Sequence, residues 1–198
     1  LARLQRANLA SARIHERADL QRLLRVQLPE LLPDLLVIAE EFGDWEDSRR
    51  RIDLLAVDRD ANLVVIELKR GDTGVHMELQ AIRYAAMVST MTFDLAVDAY
   101  ASHLAALGGE GDPRQMLLEF LGWTDPGDGE FARDVHIVLF SEDYSRELTT
   151  AVLWLNNHDV NIRAFRMQGY ALDGRLLLDF QQIIPLKEAE EYQVRVRK

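Results

Sequence analysis

Apolar positions at helical spacing mark the first element: within residues 14–28, Leu20, Leu23, Leu24 and Leu28 recur at three- and four-residue intervals, and Pro29 then stands against continuation. This predicts an amphipathic helix ending before Pro29. Three runs rich in valine, isoleucine and leucine follow at 35–42, 52–58 and 62–69, the last two flanking a polar turn at Arg59, Asp60 and Ala61. They read as strands. Val64, Val65 and Ile66 are apolar on both faces, which puts their strand inside a sheet covered by helices. After the break at Gly71-Asp72-Thr73-Gly74, residues 76–89 return to helical spacing.

Loop-forming segments at 108–113 and 124–129 bracket a short helix around Met116–Leu121. A buried strand is expected over Val135–Phe140, a helix over Ser145–Asn156, and a strand pair over Val160–Arg166 and Tyr170–Phe180 turning near Met167-Gln168-Gly169. The order helix, three strands, helix, strand predicts an α/β sandwich with a mixed central sheet flanked by helices. With 198 residues, 48% of them hydrophobic, one substantial core is affordable, so a single domain is expected, with its core over about 14–166 and a strand extension over about 167–198.

The absence of cysteine excludes disulfides, thiolate metal sites and cysteine nucleophiles, and a cytoplasmic location is the expectation. No apolar run approaches the roughly 20 residues of a membrane span, and arginines punctuate the first thirty residues, so no membrane partner is expected. The chain opens at Leu1, which leaves room for an additional domain or subunit. A formal charge of −10 argues against a broad nucleic-acid surface, yet the charge is unevenly divided. Residues 1–28 hold six arginines against Glu16 and Asp19, a local +4, so the remainder carries −14. A basic strip beside an acidic site is compatible with those numbers.

Side chains two apart on a strand share a face, so Glu67 and Lys69 point the same way as Val65. Asp53 begins the preceding strand, and a hairpin turning near residue 60 brings it across from the region of Glu67. Two neighbouring carboxylates repel unless they share a proton or a cation. Mg2+, which takes oxygen ligands at about 2.0–2.1 Å and typically uses one or two carboxylates plus phosphate oxygens, suits such a pair, with the Leu68 carbonyl as a further ligand. Mn2+ is the alternative ion. Phosphodiester hydrolysis needs an activated water and charge stabilisation, which a cation held by Asp53 and Glu67, together with Lys69, can supply. The competing reading is an ordinary salt bridge at a strand end. Gln80 and Tyr84 lie four apart on the next helix and share one face, where they can hold a water or a phosphate oxygen.

Three segments, Ile52-Asp53-Leu54-Leu55, then Val64-Val65-Ile66-Glu67-Leu68-Lys69-Arg70-Gly71, then Leu79-Gln80-Ala81-Ile82-Arg83-Tyr84, resemble the PD-(D/E)xK nuclease superfamily, and within it the RecB-like and NucS-type endonuclease catalytic domains. The resemblance covers roughly residues 14–90 and, more loosely, the strand at 135–140. It implies a restriction-endonuclease-like fold with an αβββαβ core and a Mg2+- or Mn2+-dependent endonuclease acting on DNA in repair, recombination or defence. In it Asp53 and Glu67 hold the metal, Lys69 assists the water, and Gln80 and Tyr84 support the site. A glutamate on the first helix, here Glu16, completes the family pattern; a solvated residue paired with an arginine is its plain alternative. Ile52 stands where the superfamily's proline would be, which removes no ligand.

Arg50, Arg51, Arg70 and Arg83 are the candidate DNA contacts, with a solvated turn as the alternative for the run at 49–51. The acidic run Glu40, Glu41, Asp44 and Glu46 is expected to be solvent-exposed, with an extra metal ligand among them as the alternative. The five histidines show no ligand spacing and read as surface or core residues, His76 being the exception because it opens the helix carrying Gln80, and no P-loop, Gly-x-Ser-x-Gly elbow or dinucleotide fingerprint appears. Trp45, Trp123 and Trp154 are expected in a core or interface. A homodimer is an option, because Val194–Arg197 or the strand at 170–180 could offer a pairing edge. Two rivals remain: an inactive nuclease-fold module serving DNA binding or assembly, and an unrelated α/β interaction domain.

Overall fold

Branched apolar side chains on consecutive positions make the central strands, and they do so where the pattern places them. In chain order the computed structural model contains β1 (Gln5–Ala7), α1 (Arg22–Leu31), β2 (Leu35–Phe42), β3 (Ile52–Asp58), β4 (Leu63–Lys69), α2 (Met77–Val88), α3 (Phe93–Leu107), α4 (Pro113–Leu121), β5 (Val135–Ser141), α5 (Arg146–Asn156), β6 (Ile162–Leu172) and β7 (Arg175–Ile184). The structure describes residues 5–7, 20–43, 45, 50–69, 77–172 and 175–185. The αβββαβ order expected of a restriction-endonuclease-like α/β fold is present, with α3 and α4 inserted between α2 and β5. None of the described helices is long and apolar enough to cross a membrane.

The chain divides into two compact units, and β4 and β5 contribute residues to both. The unit made of 22–66 and 81–137 is organised by the β2–β3–β4 meander, with β5 beside β4. Leu55 faces Val65 and Val57 faces Leu63 across the β3–β4 ladder. These four side chains join Tyr84 and Val88 of α2, Phe93, Ala96 and Tyr100 of α3, and Leu117 and Leu121 of α4 in one buried cluster. The opposite-facing Leu54, Ala56, Val64 and Ile66 are also fully buried, as the two-sided apolar pattern requires. In the other unit β6 pairs with both β1 and β7, and β5 lies next to β6 on one side and β4 on the other. Phe140, Phe165 and Phe180 pack together there, and the buried Tyr144 hydroxyl reaches the carbonyls of Leu139 and Phe165, both at 2.9 Å.

Four expectations need correction. Pro29 lies inside α1 rather than ending it. A proline there costs about 3 kcal/mol, but Leu28 and Leu32 on either side of it are buried, each contributing about 1.5–3 kcal/mol. Helix α3 has no counterpart among the expected elements. Its buried face is assembled from Phe93, Ala96, Tyr100 and His103, a weak apolar stripe, although Thr92 caps its start and Gly108, at φ 67°, closes its end. Met167-Gln168-Gly169 is no turn: β6 runs through it to Leu172, and the hairpin closes between Leu172 and Arg175. Gly169 sits between two strands, opposite Ala7 and Leu178. Trp154 is exposed on α5, stacked on His158, and lies outside the core.

The β3–β4 turn is held by Asp58. Its carboxylate accepts from the amides of Asp60 and Asn62 at 3.0 and 2.9 Å and from the Asn62 side chain at 3.1 Å, while His136 Nδ1 lies 3.1 Å away. Burial pushes the Asp58 carboxyl up, but the hydrogen bonds from His136 and Asn62 outweigh that and leave it below its ordinary value. A folded value below the unfolded one means that the ionised group stabilises the fold above about pH 4, and that this contribution disappears as the pH falls through the lower folded value. In urea titrations, Asp58→Asn should therefore fall short of wild type at neutral pH and converge on it as the pH falls through the lowered folded value. A gap that stays constant on acidification would rule the assignment out.

Candidate active site

Strand β4 carries its polar residues at the end of an apolar run. Val65, Ile66, Glu67 and Leu68 are all essentially inaccessible, with Glu67 at 0% exposure, and Lys69 is partly exposed. A carboxylate removed so completely from water requires donors or counter-charge. One donor is Gln80, in the first turn of α2, whose Nε2 gives a 2.7 Å hydrogen bond to Glu67 Oε2. Hydrogen bonds to an ionised group contribute about 1.5–3 kcal/mol, which offsets part of the burial cost. The strand's period of two puts Lys69 on the same face as Glu67, together with Val65 and Leu63. Glu67, Lys69 and Gln80 belong to one unit.

Asp53 and Tyr84 belong to the other unit. Asp53 is 5% exposed, on the face of β3 that carries Leu55 and Val57, and those two residues pair with Val65 and Leu63 on β4. Tyr84 is 3% exposed and is part of the buried cluster beneath α2, α3 and α4, so its ring supports the core. The Leu68 side chain is 1% exposed. Glu16, Arg70 and His76 lie outside the described residues, as does the tail at 194–197.

Arg50, Arg51 and Arg83 are exposed, as phosphate contacts must be. The Arg51 guanidinium donates to the Glu41 carbonyl at 3.1 Å, and the Arg50 carbonyl accepts from Trp45 Nε1 at 2.7 Å, so this segment is fixed to the end of β2. The acidic run beside it differs from expectation: Glu40 and Glu41 are half-buried, and Glu40 pairs with Arg25 at 3.2 Å. Asp44 and Glu46 of that run lie outside the described residues. A cavity of about 1110 Å³ opens along α3, lined by Trp45, Arg51, Met91, Leu95 and His103 among others, and none of Asp53, Glu67, Lys69 or Gln80 borders it.

Among the described residues no group of three or more histidines, cysteines, aspartates or glutamates is arranged to hold a metal ion. The expected donor set is smaller than that: two carboxylates, both buried, and one main-chain carbonyl. All are oxygens, which suits Mg2+ or Mn2+ and not a soft-metal site. Two features escaped the sequence reading. The Asp58–His136 pair has no local signal, since the partners are far apart in the chain. Ser141, at the end of β5, is a serine in an apolar strand, and that substitution in the pattern was the available clue.

No protein-family model matches the chain, and no curated protein matches it significantly. Two solved structures are similar. One is EndoMS in complex with double-stranded DNA, at 16% identity and a TM-score of 0.42 over 76% of this chain and 44% of that one. The other is a repair endonuclease from Pyrococcus abyssi, at 20% identity and a TM-score of 0.42 over 77% of this chain and 47% of that one. The chain thus spans less than half the length of the solved structures it matches.

Proposed function

We propose that the protein is a Mg2+- or Mn2+-dependent endonuclease that hydrolyses DNA phosphodiester bonds, in repair, recombination or defence. The observation that carries this reading is the fully buried Glu67, bonded at 2.7 Å to Gln80 of the following helix and sharing its strand face with Lys69. A mere strand-end ion pair would have no need of a completely desolvated carboxylate held by an amide from another element. In this reading Asp53, Glu67 and the Leu68 carbonyl would hold the cation, which would supply charge neutralisation at phosphorus and make an attacking water more acidic. Lys69 would orient or deprotonate the attacking water, or, as the ammonium, offset negative charge in the transition state. Gln80 keeps Glu67 in one rotamer, Tyr84 braces α2, and Glu16 is the residue that the family pattern would add to the acidic set.

Arg50, Arg51, Arg70 and Arg83 receive the phosphate backbone. The net charge of −10 favours a further domain, a second subunit or a homodimeric partner as the source of most DNA affinity. The same charge supports the rival reading of an inactive nuclease-fold module for DNA binding or assembly. Incubation with single-stranded, duplex, flapped and mismatched DNA separates the two. Cleavage should require Mn2+ or Mg2+, stop with a chelator, and fall about a hundredfold in Lys69→Ala. Wild type and Lys69→Ala equally inert on every substrate would leave the binding module as the answer.

A further inference from the structure

Ser141 is the last residue of β5; it is 1% exposed, and its Oγ has no hydrogen-bond partner among the described residues. A buried hydroxyl without a partner costs about 1–3 kcal/mol, and alanine at that position would avoid the cost. The direction of the side chain follows from the strands. The amide of Leu63, the first residue of β4, donates to the carbonyl of Asp134, which immediately precedes β5. Two neighbouring strands that begin at a shared bond must run in parallel, and that bond sets Leu63 beside Val135. With a period of two, Val65 falls beside Ile137, Glu67 beside Leu139 and Lys69 beside Ser141.

Two contacts check this register. Val135 packs against the same buried cluster as Leu63 and Val65, so the odd-numbered residues of both strands share a face. His136, of the other parity, reaches Asp58, which follows the opposite face of β3. Ser141 therefore lies on the face of Glu67 and Lys69, level with Lys69, in the unit that also holds Gln80.

We propose that Ser141 is a positioning residue for the cation expected at Glu67, its hydroxyl holding a water that the bound ion brings into the site. The proposal rests on the reading of that site as a Mg2+ or Mn2+ centre. Such a role gives this hydroxyl the partner that the described residues do not supply. It also gives substitutions at this position effects of opposite sign on stability and on ion binding, a combination that a packing role cannot produce.

The test compares wild type, Ser141→Ala, Ser141→Thr and Glu67→Ala, each as the full chain. The readouts are the thermal midpoint without ion and the Mn2+ affinity by calorimetry and by the spin-resonance signal of free Mn2+. Ser141→Ala should melt at or above the wild-type temperature without ion, yet bind Mn2+ about tenfold more weakly, as expected when a group orienting a metal site is removed. Ser141→Thr, which keeps the hydroxyl, should recover most of that affinity. Unchanged Mn2+ affinity in Ser141→Ala, alongside its loss in Glu67→Ala, overturns the role of Ser141 and leaves the nuclease reading standing. No Mn2+ binding by wild type overturns both.

Discussion

Glu67→Gln should lower metal-dependent DNA cleavage by about 10³-fold or more, equivalent to about 4 kcal/mol of transition-state stabilisation. The substitution isolates charge from shape. Glutamine has nearly the size of glutamate, and its carbonyl can still accept the hydrogen bond that Gln80 gives to Oε2 at 2.7 Å, so the packing around this fully buried side chain survives. What disappears is the negative charge, on which a hard divalent cation depends for its grip. Because the mutant no longer buries a charge, its unfolding midpoint in urea should equal or exceed that of wild type without ion. Activity collapsing while the fold holds is the signature of a site residue. Turnover close to wild type would remove Glu67 from the mechanism.

Phe140→Ala should destabilise the protein by about 3–5 kcal/mol, the range for deleting a buried aromatic ring. Phe140 is completely inaccessible, stacks on Phe165 with centroids 5.0 Å apart, and meets Phe180 edge-on at 5.9 Å. Two aromatic contacts are lost with the ring, each contributing about 0.5–1.5 kcal/mol beyond burial. Phe140→Leu retains most of the volume and should cost well under half as much. Chemical denaturation followed by tryptophan fluorescence and by circular dichroism measures both variants. Equal stability of the alanine and leucine variants would mean that the three-ring cluster contributes little.

Much of this architecture was legible in the residues. Val64-Val65-Ile66 announces a strand buried on both faces, and β4 is buried from Leu63 to Leu68. Ser145, which caps α5 through the Leu148 amide, and the polar turn at 59–61 mark boundaries because their chemistry is local. Helix α3 was hidden because apolar residues stand on both of its faces, Leu95 and Leu107 exposed and Phe93, Ala96 and Tyr100 buried, so its apolar periodicity is faint. The Met167–Gly169 segment reads as a turn by composition, and only the presence of partner strands on both sides keeps it extended.

By itself the sequence determined which residues share a face. The two-residue period of a strand binds Glu67 to the side of Lys69, and the 3.6-residue period of a helix sets Gln80 one turn before Tyr84, whatever the rest of the chain does. Tertiary structure alone decided what those faces meet: that Gln80 closes on Glu67, that Tyr84 serves the core, that Glu40 is neutralised by Arg25, and that an unsatisfied serine ends the strand next to β4. Periodicity is a property of local backbone geometry. Contacts between elements depend instead on burial and on closing long loops, whose entropy no short stretch of residues encodes.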